Sequence, residues 1–265
     1  MQAARGAGGR GANVKVIGGL TCPAHVKEQV TAYVSSIGKA LGGDLIGVYL
    51  YGSLARGCFH PATSDVDVVG VTGKPCTEDE IAQVVQAHRR AQVSVDATFA
   101  TTCQIKEDVT PTPVDFVVKP LAEGGALRLP EGHRDFLLQR QEAYECDIGV
   151  FGPSARQVMG SVPWPRLAEC LDLLFPFILP RFKNPALMLC RAAYAFTSRR
   201  LCSKKEAGEW GLRALDKAWH SLLSDALCKY RHGIPDDRGE DEALRRFEEY
   251  CVAYIAQARE GEQNS

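Results

Sequence analysis

Apolar residues recur at three- and four-residue spacings over 24–41 (Val26, Val30, Val34, Ile37, Leu41). That period predicts an amphipathic helix, and Gly42-Gly43 ends it. The pattern then changes. LIGVYLYG (45–52) is short, apolar and rich in β-formers, as a buried strand is. SLARGCFHPATS (53–64) is a turn-rich connection, and DVDVVGV (65–71) begins with strict alternation and predicts a second strand. A helical period over 77–91 precedes VSVDATFA (93–100), an alternating third strand, and VDFVVKP (114–120), a fourth. A polar helix near 132–145 and the short apolar piece IGVFG (148–152) complete the first half.

From Trp164 onward nearly every apolar residue sits at helical spacing. Helices are expected over 166–174, 185–199, 204–215, 217–230 and 240–258. The last opens on Glu240, Asp241 and Glu242, acids that favour a helix N-terminus. Its apolar stripe is Leu244, Phe247, Cys251, Tyr254 and Ile255. The chain therefore divides near GPSARQVMGSVPWP (152–165). An α/β (α+β) domain with a mixed sheet is expected over 21–157, followed by an all-α helical bundle over 158–265. Residues 1–20 are Gly-rich and read as a flexible tail.

Composition narrows the function classes. With 31 basic and 32 acidic residues the formal charge is −1, which argues against a strongly basic nucleic-acid binder. The longest apolar run, LDLLFPFILP, is too short to span a membrane and holds two prolines. Ten cysteines are scattered without a C-x-x-C pair, so no zinc site of common spacing is expected. With no apolar leader at the N-terminus, they read as reduced thiols of a cytoplasmic, monomeric protein.

The stretch YGSLARGCFHPATSDVDVVGV carries the chemistry. A strand delivers Gly52 and Ser53 to a turn, where glycine permits close backbone approach to a ligand. The Ser53 hydroxyl and nearby amides are able to hold a phosphate. Asp65 and Asp67 follow on a strand, two residues apart and so on one face, with α-carbons roughly 6.6 Å apart. Such a pair grips hard cations, and magnesium is usually shared between carboxylates and substrate phosphates. Asp96, the only acid of the third strand, would complete a two-metal site. A carboxylate inside an apolar strand is costly unless paired or metal-bound. Paired acids after a turn are otherwise common as solvated strand ends.

The pattern G-S-x-A-R-G…S-D-x-D with a third acid on a later strand resembles the nucleotidyltransferase superfamily related to DNA polymerase β. More narrowly, the chain resembles the bacterial streptomycin/spectinomycin adenylyltransferases. GPSARQVMGSVP is similar to that family's interdomain segment, and NPALMLCRAAYAFTSRRLCSKKEAGEW to its N-x-x-L-x-L-x-R-x-x-Y…K-x-x-A-x-x-W block. CKYRHG is similar to the end of the next helix. The likeness covers about 45–72, 93–99, 149–163 and 184–233. It implies adenylyl transfer from ATP to an aminoglycoside hydroxyl, with two magnesium ions about 3.5–4 Å apart. It implies that Ser53 and Ser64 contact the phosphates, that Asp65 and Asp67 ligate magnesium, and that Asp96 is the general base. Asp96 stands where the family has a glutamate, one methylene longer. Arg191, Lys204 and Tyr230 would reach the triphosphate from the helical domain. From the residues alone, Tyr230 continues the apolar stripe of Leu223, Ala226 and Leu227, and Arg191 and Lys204 are ordinary surface charges.

The chain departs from the family where the acceptor binds. LLFPFILPRFKN places Arg181 and Lys183 where acids are expected, and a tryptophan expected near VDFVVKP is missing. Like charges facing one another in a binding site cost several kcal/mol. Three readings stay open: an aminoglycoside acceptor, a protein or tRNA hydroxyl, and a non-catalytic nucleotide-binding protein of the same fold.

Overall fold

The computed structural model describes residues 20–120, 125–236 and 241–263. The expected flexible tail, but for Leu20, lies outside the described residues. The first helix, α1 (Ala24–Leu41), buries the predicted stripe together with Tyr33. It ends at Gly42 with φ 54° and leads to β1 (Leu45–Tyr51). A single turn, α2 (Gly52–Ala55), precedes β2 (Val66–Thr72). Next come α3 (Glu78–Arg90), β3 (Val95–Thr101), β4 (Phe116–Val118) and β5 (Ala126–Leu127). Helix α4 (Phe136–Cys146) and β6 (Ile148–Phe151) close the half that carries all six strands found among the described residues.

The sheet runs β5-β4-β3-β2-β1-β6. β2 and β3 are parallel and the other pairs antiparallel, so the sheet is mixed, as expected. Alternation decides which side chains face which layer. Val66, Val68, Val95, Ala97 and Phe99 pack with the apolar faces of α1 and α3. The intervening positions, among them Tyr51, Val69, Val71 and Ala100, pack with Phe136 and Ala143 of α4. Asp67 and Asp96 belong to this second face by the same period. They lie at its margin, where β1 ends and β2 and β3 begin.

After the short turn α5 (Ala155–Val158) come α6 (Trp164–Leu174), α7 (Ile178–Arg181), α8 (Pro185–Ser198), α9 (Lys204–Ala214), α10 (His220–Arg231) and α11 (Glu242–Gln263). The apolar face of α8 is surrounded by α9, α10 and α11 in one core. A Cβ at Gly208 would come within 2.7 Å of Leu187 and 2.8 Å of Leu227, so glycine sets the closeness of α9 to its neighbours. The helix expected over 217–230 divides instead. The Asp216 side chain accepts the Ala218 N–H at 2.8 Å and stabilises a 3₁₀ turn over Lys217–Trp219 before α10 begins. No helix among the described residues is long and apolar enough to cross a membrane.

Candidate active site

A cavity of about 450 Å³ lies between the open margin of the sheet and the helical half. Gly52, Ser53, Ser64, Asp65, Asp67, Asp96, Arg191, Lys204 and Tyr230 all line it, so the structure brings every sequence-predicted site residue to one place. The sheet supplies the acids. In the parallel β2–β3 register Asp67 stands opposite Asp96, and neighbouring strands lie about 4.8 Å apart. Asp65, which immediately precedes β2, lines the same cavity and lies close enough to act on the Asp67 charge.

Charge is crowded there. Burial pushes the Asp67 carboxyl well above the usual carboxylate range, and the neighbouring Asp96, Glu142 and Asp65 push it further, against a smaller opposing pull from Lys204. Crowded, desolvated oxygen donors of this kind fit a hard divalent cation that shares its remaining positions with phosphate oxygens. Among the described residues no three His, Cys, Asp or Glu side chains are grouped to hold a metal by themselves. Asp65 and Asp67 form the open pair. The Asp96 carboxylate is engaged by Lys119, whose Nζ lies 2.8 Å from Oδ2 and 3.1 Å from Oδ1.

Gly52 acts through its backbone. Its φ is 65°, and a Cβ would meet Asp67 Oδ2 at 2.0 Å, so only glycine lets the turn pass over that carboxylate. Its amide donates to Glu142 Oε2 at 3.2 Å, which leaves the serines as the polar groups of the turn. The Ser64 hydroxyl accepts the His60 N–H at 3.0 Å.

The helical half supplies cations. Arg191 projects from α8 and donates Nε–H to the Cys202 carbonyl at 2.9 Å. Its Nη2 meets Glu142 on α4, across the groove. Lys204 opens α9 just after Ser203, whose hydroxyl accepts the Glu206 N–H at 3.1 Å while Glu206 accepts the Ser203 N–H at 2.8 Å. A lysine in the first turn opposes the helix dipole, so this capping box holds a cation where helix stability alone would not place one. Burial, then the charge of Arg191, pulls the Lys204 ammonium down to about 8, although Asp67 opposes the shift. Tyr230 Oη donates to Cys58 Sγ at 3.6 Å. Burial and Cys58 raise its phenol above the usual range, so it remains a hydrogen-bond donor.

Four further charged residues of the cavity were given no role by the sequence reading: Arg56, Lys119, Asp135 and Glu142. Lys119 was readable by register. The antiparallel pairing of Ala97 with Val118, carried one step further, sets Lys119 opposite Asp96. Glu142 gave no such signal, because its partners Gly52, Arg56 and Arg191 all come from segments distant in the chain.

A glycine-serine turn above paired carboxylates, on a mixed sheet followed by helices, is the frame of a nucleotidyltransferase. Residues 32–135 match the nucleotidyltransferase domain family, and residues 178–254 match the C-terminal domain of aminoglycoside adenylyltransferases. Spectinomycin 9-adenylyltransferase of Staphylococcus aureus (strain N315) is 25% identical over 232 residues, covering 81% of this chain and 88% of the relative. The Campylobacter jejuni protein of the same name is 20% identical over 226 residues, covering 79% and 87%. The crystal structure of spectinomycin adenyltransferase AAD(9) from Enterococcus faecialis with ATP and spectinomycin superposes with a TM-score of 0.74 at 16% identity, covering 86% of this chain and 98% of that one, and shares the fold. The chain thus carries a nucleotidyltransferase domain followed by a C-terminal domain of the aminoglycoside adenylyltransferase kind.

Proposed function

We propose that the chain transfers the adenylyl group of ATP to a hydroxyl of an aminoglycoside-type acceptor, between a nucleotidyltransferase domain (21–157) and a helical domain (158–265). The observation that carries this reading is the convergence of the in-register pair Asp67–Asp96 with Arg191 and Lys204 on one cavity. The acceptor class follows from the names of the relatives. Asp65 and Asp67 would hold magnesium, which when bound supplies Lewis-acid stabilisation of the charge on the phosphate oxygens.

The chain's own groups divide the remaining work. Ser53 and Ser64 bind the phosphates from the sheet side. Arg191 and Lys204 offset triphosphate charge from the opposite wall, and Tyr230 adds a neutral donor. Asp96 accepts the proton of the acceptor hydroxyl as its oxygen attacks the α-phosphorus. The bond from that phosphorus to the bridging oxygen breaks, and pyrophosphate leaves with the electron pair.

The test is incubation with α-labelled ATP, a divalent ion, and spectinomycin or streptomycin as separate acceptors. Labelled acceptor and pyrophosphate in equal amounts are expected, and both should disappear with Asp96→Ala. ATP binding without transfer to any aminoglycoside would overturn the acceptor class, and absence of ATP binding would overturn the nucleotide reading.

A further inference from the structure

The acceptor end of the cavity carries a cation of its own. Lys119 follows β4 directly, and its ammonium spans both oxygens of Asp96, at 2.8 and 3.1 Å. The contact is braced from behind. The buried His88 ring hydrogen-bonds the Lys119 backbone, and Tyr33 Oη lies 3.5 Å from His88 Nδ1. The nearby acid Asp135 has His133 Nδ1 2.6 Å from its Oδ1. Lys183 lines the same cavity. An ammonium arriving with an acceptor would meet, at Asp96, a carboxylate that already has a counter-ion. A hydroxyl arriving there meets an acceptor oxygen on Asp96 and no charge conflict.

We propose that Lys119 is a specificity-determining residue, which claims Asp96 as an internal counter-ion so that the acceptor enters hydroxyl-first, with its amines turned away from that end. The inference rests on the adenylyl-transfer reading for the place of the acceptor. It predicts that this site draws little affinity from acceptor amines at Asp96, and that removing the ammonium creates a cation site there.

The experiment is calorimetric titration, at mildly acidic pH, of spectinomycin and of its neutral N-acylated derivative into the wild-type protein, Lys119→Met and Lys119→Arg. The readout is the ratio of the two dissociation constants, which a general loosening of the fold would not move in one direction. Lys119→Met should shift the ratio toward the amine-bearing compound by about tenfold, a modest share of a like-charge conflict. Lys119→Arg should keep the wild-type ratio. An unchanged ratio, a shift toward the neutral compound, or no binding of either compound by any variant would overturn the proposal. ATP titrated into the same preparations separates the two failures. An unchanged acceptor ratio with intact ATP binding defeats the Lys119 role alone, whereas absence of ATP binding in the wild type defeats the adenylyl-transfer reading itself.

Discussion

Arg191 of the helical half and Glu142 of α4 form an ion pair across the groove, and the Glu142 side chain is only 7% exposed. The same carboxylate accepts the Gly52 N–H and lies 3.5 Å from Arg56 Nε. One buried acid thus ties the glycine turn, the following loop and the helical wall together. On the proposed reading, Arg191 would have to share or leave this partner to reach a triphosphate.

Glu142→Gln should separate these two effects. The amide keeps the shape but leaves Arg191 without its charge partner and Arg56 with Glu145 alone. Loss of hydrogen bonds to charged groups at this burial should cost about 2 kcal/mol of stability, read from urea unfolding. ATP affinity, measured by calorimetry, should rise, because Arg191 no longer has to leave a partner. Weaker ATP binding would show that Glu142 serves chiefly to hold the Gly52 turn for the nucleotide.

Asp67 predicts the opposite trade. Its carboxyl is held well above the usual range by burial and by Asp96, Glu142 and Asp65, so its ionised form is disfavoured in the folded state. The sign follows directly. A group whose folded pKa lies above its unfolded value destabilises the fold once pH exceeds the unfolded pKa. Asp67→Asn removes that charge, and the melting temperature of the metal-free protein at neutral pH should rise by roughly 2–4 °C, equivalent to about 1 kcal/mol in a chain of this size. Transfer activity should fall to background, because a ligand is lost. A lower melting temperature would mean that the carboxylate has a structural partner in the folded state.

The sequence made the sheet side of this site legible because β periodicity is local. Alternation around Val66, Val68, Val95 and Ala97 determines that Asp67 and Asp96 share the other face, and the structure pairs them in register. The α1 stripe was equally readable. Short elements were not. α2, β5, α5 and α7 are two to four residues long, too short to display a period. Contacts between distant segments were hidden for a different reason. Nothing near Glu142 in the chain distinguishes it from Glu145, which is more exposed; the Gly52 amide and Arg191 of α8, both distant in sequence, make it special. Lys119 lies between these cases, since β4 is short but its register with β3 is regular.

Lys204 offers a test by pH. Its ammonium would ordinarily titrate near 10.5, but burial and the charges of Arg191 and Lys183 bring it to about 8 despite the pull of Asp67. Below about pH 8 it is a cation facing the phosphate region; above it the free protein holds a neutral amine. If that charge binds the triphosphate, kcat/KM for ATP should fall as pH rises through about 8, and ATP binding above that pH should take up a proton. Lys204→Met should flatten this alkaline limb and raise the KM for ATP by about tenfold, the scale of one charge-assisted hydrogen bond, while acceptor KM stays nearly constant. Stability carries the reverse sign. The unfolded chain binds the proton more tightly between about 8 and 10.5, so wild-type stability should gain from this group as pH rises through that window, and Lys204→Met should not show the gain. An alkaline limb that persists in Lys204→Met would assign the titration to another group. A raised acceptor KM with unchanged ATP KM would move Lys204 to the acceptor side of the cavity.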